Sequence, residues 1–67
     1  MEKNLVRVYT TNKPYESELF KQFLFDHGIL AYAIDKRDSI YLFGDIEIYV
    51  DRDDVIKAKS LVKKFER

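Results

Sequence analysis

The stretch LVRVYTTNKPYESELF, residues 5–20, contains the change of periodicity that decides the fold. Its LVRVYT portion alternates with a period of two among β-forming residues, which predicts a strand over residues 4–10. The TNKP segment ends that strand, because a residue before proline avoids α geometry, while Pro14 itself suits the first turn of a helix. The stretch therefore predicts a strand followed directly by a helix that begins at Lys13 or Pro14.

The first helix is predicted to run over residues 13–27. Gly28 comes directly after it and supplies a left-handed C-cap, the usual way for a helix to end. A stripe of residues at helical spacing marks the side expected to face the core: Leu19, Phe20, Phe23, Leu24 and His27.

The rest of the chain predicts two more strands and a second helix. ILAYAIDK, residues 29–36, is typical of a strand, and the RDS after it is turn chemistry. Apolar residues of one parity between Ile40 and Val50 predict one long strand or two collinear pieces with a bulge at Gly44, the last piece covering residues 45–50. The carboxylates of DRDD, residues 51–54, then suit the start of a helix over residues 52–65.

The element order β-α-β-β-α predicts a single α+β domain over residues 1–67. Right-handed crossovers and a hairpin between the second and third strands give a three-stranded antiparallel sheet of order 1-3-2 with two helices on one face. This is a ferredoxin-like fold without its last strand. The core is predicted to contain Val6, Val8, Leu19, Phe20, Phe23, Leu24, Ile46, Ile48, Val50, Val55, Ala58, Leu61 and Val62.

Composition excludes several functional classes. Twelve basic residues balance twelve acidic ones, so the broad cationic field that favours nucleic acid is absent. The chain has no cysteine, which removes disulfides, zinc ribbons and thiol chemistry. It also has no apolar run of membrane-spanning length and no hydrophobic signal core. We expect a cytoplasmic protein that does not enter a membrane.

The polar candidates for a catalytic, metal or cofactor site are better explained as helix termini. With Lys13 as N-cap, Glu16 takes the N3 position and is expected to reach back to the Lys13 N–H, whereas Glu18 points to solvent. His27 is the single histidine, has no second ligand at i+4, and is expected to close the helix against the sheet. DRDD lacks the glycine and distant glutamate of a calcium loop. No enzyme activity, metal or cofactor is predicted.

The motifs VYTTN, PYESEL, HGI and EIYVDRDDVIKAKSLV together resemble those of a small bacterial domain family labelled as signal-transducing proteins. The resemblance covers nearly the whole chain and implies a fold related to the nitrogen-regulatory PII proteins. PII proteins use a glycine-containing phosphate loop and a long loop between strands two and three. This chain has only two glycines and a short connection between those strands. The resemblance implies a signalling role, and these departures argue against a PII-type nucleotide site.

The sheet face opposite the helices is the predicted interaction surface. Outward parity assigns to it Leu5, Arg7, Tyr9, Tyr41, Phe43, Glu47 and Tyr49, and Phe25 adds an exposed ring on the first helix. Arg7 and Glu47 are expected to pair across the strands. An aromatic face of this extent is unusual on a monomer, and the edge of strand one has no partner in the chain.

These observations lead to three functional hypotheses. The first is a non-enzymatic protein-interaction or regulatory module that self-associates as a homo-oligomer, through the edge of strand one, the aromatic face or both. The second is a single-stranded RNA-binding domain that stacks bases on Tyr9 and Tyr49, although the neutral charge and the acidic residues of strand three make nucleic acid a poor partner. The third is a sensor whose unidentified small-molecule ligand binds at an oligomer seam.

Overall fold

The computed structural model describes residues 4–36 and 46–66, and it confirms the predicted α+β fold with the order β-α-β-β-α. The elements are β1 (Leu5–Thr11), α1 (Pro14–Asp26), β2 (Ala31–Asp35), β3 (Ile46–Asp51), a 3₁₀ turn (Arg52–Asp54) and α2 (Val55–Glu66). Tyr41, Phe43 and the bulge expected at Gly44 lie outside the described residues.

The three strands form one antiparallel sheet in the order β1-β3-β2, as predicted. The pairing of β2 with β3 is regular from Ala31 opposite Val50 to Asp35 opposite Ile46. Since β3 buries every second residue, both helices lie against the side of the sheet that carries its isoleucines and Val50.

A β-bulge at Val8 interrupts β1. Arg7 lies opposite Tyr49 and Tyr9 lies opposite Ile48, so Val8 is an extra residue on the β1 side. Because side chains alternate along a strand, the extra residue reverses the parity of the rest of β1. Tyr9 and Thr11 therefore face the helices, and the prediction that Tyr9 faces outward is wrong.

The core lies between the sheet and the helices, with five fully buried large side chains: Phe20, Leu24, Ile29, Ile48 and Val50. Ala58 and Leu61 bring α2 into it.

The predicted core members Val6, Val8, Phe23, Val55 and Val62 are half-buried. Ile29 and Ala31 are core residues that the sequence pattern did not predict.

Leu19 is 57% exposed, so its placement in the core was wrong. The buried residues of α1 are Ser17, Phe20 and Leu24, and this direction leaves Leu19 on the far side of the helix. Ser17 can be buried because its hydroxyl donates to the Pro14 carbonyl at 2.7 Å. A small residue at this position lets the helix lie close to the sheet.

Four aromatic rings connect β1 to both helices. The Tyr9 ring centroid lies 4.4 Å from that of Phe20 and 5.9 Å from that of Phe65. Phe65 also lies 5.0 Å from Phe20 and 5.6 Å from Phe23. These separations lie in or at the lower limit of the range of favourable aromatic pairs, so the ring cluster of Tyr9, Phe20, Phe23 and Phe65 fixes α2 against α1 and β1.

The N-terminus of α1 is capped through a neighbouring threonine. Lys13 is the N-cap, as predicted, but its N–H donates to the Thr11 hydroxyl at 3.2 Å instead of to Glu16. The Thr11 hydroxyl in turn donates to Glu16 Oε1. Glu16 therefore acts at the helix start through Thr11, which is buried because the bulge turned it inward.

The C-terminus of α1 forms a Schellman motif. Gly28 has φ 82°, its N–H donates to the Phe25 carbonyl, and the Ile29 N–H donates to the Leu24 carbonyl. Leu24 and Ile29, which these bonds bring together, are both buried. The predicted glycine cap is confirmed, and β2 starts at Ala31 because Ile29 is used to close the helix.

The second helix begins with a 3₁₀ turn rather than a regular α-helical turn. The Asp51 side chain accepts a hydrogen bond from the Asp53 N–H at 2.9 Å, and α2 proper starts at Val55. The DRDD carboxylates thus include the predicted cap.

Candidate interaction surface

The side of the sheet away from the helices forms a surface that no described helix or strand covers. We call it the open face, and the register of the strands assigns to it Leu5, Arg7, Thr10, Tyr32, Ile34, Glu47 and Tyr49. Tyr32 lies directly opposite Tyr49, and Ile34 lies directly opposite Glu47. Cross-strand neighbours of this kind are within contact distance for large side chains.

Glu47 lies at the centre of a polar network on the open face. Its carboxylate accepts from Tyr49 Oη at 2.7 Å and from Arg7 Nη1 at 3.1 Å, and it lies 3.5 Å from Lys36 Nζ. The predicted Arg7–Glu47 pair is confirmed. With its side chain 13% exposed, Glu47 is well covered by these partners.

The network shifts the protonation of two groups. The hydrogen bond from Tyr49 lowers the pKa of Glu47, and Arg7 and Lys36 lower it further against an opposing effect of desolvation. The same hydrogen bond raises the pKa of Tyr49, because a phenolate would face the Glu47 carboxylate. Glu47 is therefore ionised and Tyr49 neutral at neutral pH, which is the state in which their hydrogen bond forms.

Tyr9 belongs to the other side of the sheet. Its ring packs on Phe20 and Phe65. Burial raises the pKa of the Tyr9 hydroxyl, and the negative charge of Glu16 raises it further. The residue is half-buried and forms part of the ring cluster. The predicted aromatic platform of Tyr9 and Tyr49 does not exist.

The other predicted surface residues are spread over two sides of the molecule. Leu5 is 37% exposed on the open face, whereas Phe25 is 63% exposed on α1, in the helix layer. Tyr41 and Phe43 lie outside the described residues. Of the described members of the predicted set, Leu5, Arg7, Glu47 and Tyr49 share the open face, and Phe25 lies on the helix as predicted.

Three open-face residues are absent from the predicted set: Thr10, which the bulge turned outward, and Tyr32 and Ile34 on β2. The signal that could have identified the two β2 residues is the alternation in AYAID, residues 31–35, where Tyr32 and Ile34 alternate with Ala31, Ala33 and Asp35. Once this strand is paired with β3, the parity of Ile48 fixes both side chains on the open face. The aromatic character lost with Tyr9 is thus recovered from β2.

The two edges of the sheet differ. The bulge at Val8 distorts the β1 edge, which borders a cleft of about 310 Å³ lined by residues that include Val8, Val62 and Glu66. The β2 edge is regular over its five residues. Bulges commonly hinder pairing of an exposed edge with another chain. The β1 edge therefore carries a distortion that β2 does not have over Ala31–Asp35.

The polar residues considered as site candidates have structural partners. The His27 Nδ1 lies 2.9 Å from the Phe23 carbonyl, and the centroid of the exposed His27 ring lies 4.7 Å from that of Phe23. His27 therefore contacts its own helix and not the sheet. Glu18 is exposed beside Lys21 at 4.0 Å. Residues 4–36 and 46–66 contain no cluster of three or more potential metal ligands.

Neither described helix is long and apolar enough to cross a membrane.

Comparisons with protein-family models, with curated proteins and with solved structures find no match to this chain.

Proposed function

We propose that this protein is a non-enzymatic protein-interaction module with a regulatory role in the cytoplasm, and that it self-associates through its sheet. The observation that carries the proposal is the open face, where the half-buried Tyr32 and Tyr49 lie side by side with Ile34, which is 41% exposed, and no described helix or strand covers this side of the sheet. Contiguous apolar and aromatic surface of this kind marks interfaces. Tyrosines on a rigid sheet also lose little entropy on binding.

The polar network makes the open face suitable for burial. An unpaired carboxylate in an interface is strongly unfavourable, since its desolvation is not compensated. Glu47 already has Tyr49, Arg7 and Lys36 as partners inside the chain. A protein partner can therefore cover this surface without supplying a cation for it.

RNA binding is the weaker alternative. The stacking pair predicted for RNA, Tyr9 with Tyr49, is absent because Tyr9 packs against the helices, so Tyr32 would have to stack bases beside Tyr49. Two cations, Arg7 and Lys36, lie beside Glu47, the hydrogen-bond partner of Tyr49, and both form ion pairs with its carboxylate. Phosphate groups would have to compete with that carboxylate.

Sedimentation equilibrium over a wide concentration range tests the proposal. We expect the wild type to exceed the monomer mass and the variant Tyr32→Ser/Tyr49→Ser to associate more weakly. Ile56→Ser is the control, because Ile56 is 87% exposed on α2, away from both the open face and α1. A wild type that remains monomeric throughout, or one that binds single-stranded RNA in a salt-sensitive manner that the double variant abolishes, would refute the proposal.

A further inference from the structure

Two adjoining clefts lie between α1 and the β2 side of the sheet. One, of about 250 Å³, is lined by residues that include Phe25, Leu30 and Ala31, and the other, of about 290 Å³, by residues that include Pro14 and Ala33. Glu18 and Lys21 line both clefts. The two clefts thus form one groove along β2, with α1 as its wall.

The wall of this groove has the spacing of a helix-pairing seam. Pro14, Glu18, Lys21 and Phe25 all line the groove, at successive spacings of four, three and four residues. Spacing of this type brings residues onto one stripe of a helix, as in coiled-coil contacts. Phe25, 63% exposed, ends the stripe with a large apolar side chain.

β2 is the edge better suited to strand addition. It is a regular edge strand with no proline, and its one charged residue, Asp35, is at its end. Strand addition at an open edge is a common mode of protein recognition, with main-chain hydrogen bonds supplying affinity and side-chain clefts supplying specificity. A five-residue strand alone is a small interface, so contacts from α1 are also needed.

The three central residues of β2 are self-complementary about Ala33. Antiparallel pairing of two copies that uses all five residues places Ala33 opposite Ala33 of the second copy. Tyr32 then faces Ile34 of the second copy on the open face, an aromatic and β-branched pair that favours sheets. The two-fold axis passes at the level of Ala33, where the groove wall carries Glu18 and Lys21.

The seam on α1 is self-complementary about the same axis. α1 runs antiparallel to β2, so the Phe25 end adjoins the start of β2 and the Pro14 end adjoins Asp35. A two-fold axis through the middle of the seam puts Glu18 opposite Lys21 of the second copy and Phe25 opposite its Pro14. Within one chain Glu18 and Lys21 are 4.0 Å apart with side chains 73% and 35% exposed, so both can turn to a partner.

We propose that the occupant of the α1–β2 groove is a second copy of this chain, docked edge to edge through β2 with its α1 seam against the first. The complementarity of charge and of strand sequence about one axis favours a second copy over an unrelated peptide. This inference rests on the proposed self-association and assigns its contact to the β2 edge and the α1 seam, so the open face contributes Tyr32 and Ile34 of β2, and Tyr49 of β3 lies outside the contact.

A charge-exchange experiment tests the geometry. We expect Glu18→Lys alone and Lys21→Glu alone to raise the dimer dissociation constant roughly tenfold each, since both symmetric contacts change from attraction to repulsion. Mixing the two variants restores association, because one chain then presents two cations and the other two anions. Sedimentation or fluorescence titration of the separate and mixed variants measures this.

The mixing step separates the interface from helix stability. If the variants lost association only because the Glu18–Lys21 pair within one helix was broken, association would be equally weak in the mixture and in each variant alone. Lys63→Glu, an exposed reversal on α2, is the control and should leave association unchanged. Variants that dimerise like the wild type, or a mixture no tighter than its components, overturn the groove geometry while leaving self-association intact. A monomeric wild type refutes both proposals.

Discussion

Replacement of Tyr9 by alanine tests the inward orientation that the bulge imposes. The tyrosine ring lies 4.4 Å from Phe20 and 5.9 Å from Phe65, so the change removes two aromatic pairs and part of the wall of the core. Each such pair contributes about 0.5–1.5 kcal/mol. Truncation of a fully buried aromatic costs about 3–5 kcal/mol.

Because Tyr9 is half-buried, we expect Tyr9→Ala to lower the free energy of unfolding by about 2–3 kcal/mol. This is a large share of the stability of so small a domain, which is on the order of 3–10 kcal/mol. Urea denaturation followed by circular dichroism measures the loss, with an unchanged m-value as the sign that only stability changed. Tyr9→Phe keeps the ring and should lose less.

The matched comparison is Tyr49→Ala on the open face. Tyr49 bonds to Glu47 and lies outside the ring cluster, so its truncation leaves the core filled. Without the bulge, Tyr9 and Tyr49 would be equivalent outward-facing neighbours. A Tyr49→Ala loss equal to or greater than that of Tyr9→Ala would refute the inward position of Tyr9.

Two further predictions concern the end of α1 and the pH dependence of stability. Gly28→Ala should lower the free energy of unfolding by about 1–2 kcal/mol in thermal or urea melts, because Gly28 has φ 82° and alanine is strained in that conformation. An added methyl meets no atom within 4 Å, so the loss comes from the backbone and not from a clash. An unchanged free energy of unfolding would contradict this. The lowered pKa of Glu47 stabilises the fold above the pKa of an unfolded glutamate, and this contribution is lost as pH falls through the folded-state pKa. The difference in unfolding free energy between wild type and Glu47→Gln should therefore shrink on acidification, and a difference constant across that range would contradict the network.

The fold was predictable because local signals and periodicity agree along most of the chain. Pro14 and Gly28 mark both ends of α1, and the alternation of β3 identifies its buried face directly. Strand order then results from the handedness of crossovers. These features depend on residues close together in sequence, so they can be inferred without the tertiary structure.

The composition of the open face was less predictable, because it depends on pairing. The LVRVYT alternation is uninterrupted in sequence, and the bulge appears when Tyr9 is set against Ile48. Burial of the Tyr9 ring with Phe20 and Phe65 favours the bulge, a tertiary effect that strand periodicity does not contain. The same inward turn brought Thr11 between Lys13 and Glu16, which a local capping rule would not anticipate.

The ring cluster also has a consequence for the order in which the domain folds. Tyr9 and Phe65 belong to the first strand and the last helix, and β1 pairs with β3 rather than with its neighbour in sequence. Such contacts close long loops, and proteins rich in them fold more slowly than those built from local contacts. We therefore expect β2 and β3 to pair before β1 joins the sheet, so that the amides of β1 are the last of the sheet to gain protection from hydrogen exchange. An encounter between two incompletely folded chains would therefore begin with β2 formed and β1 still open.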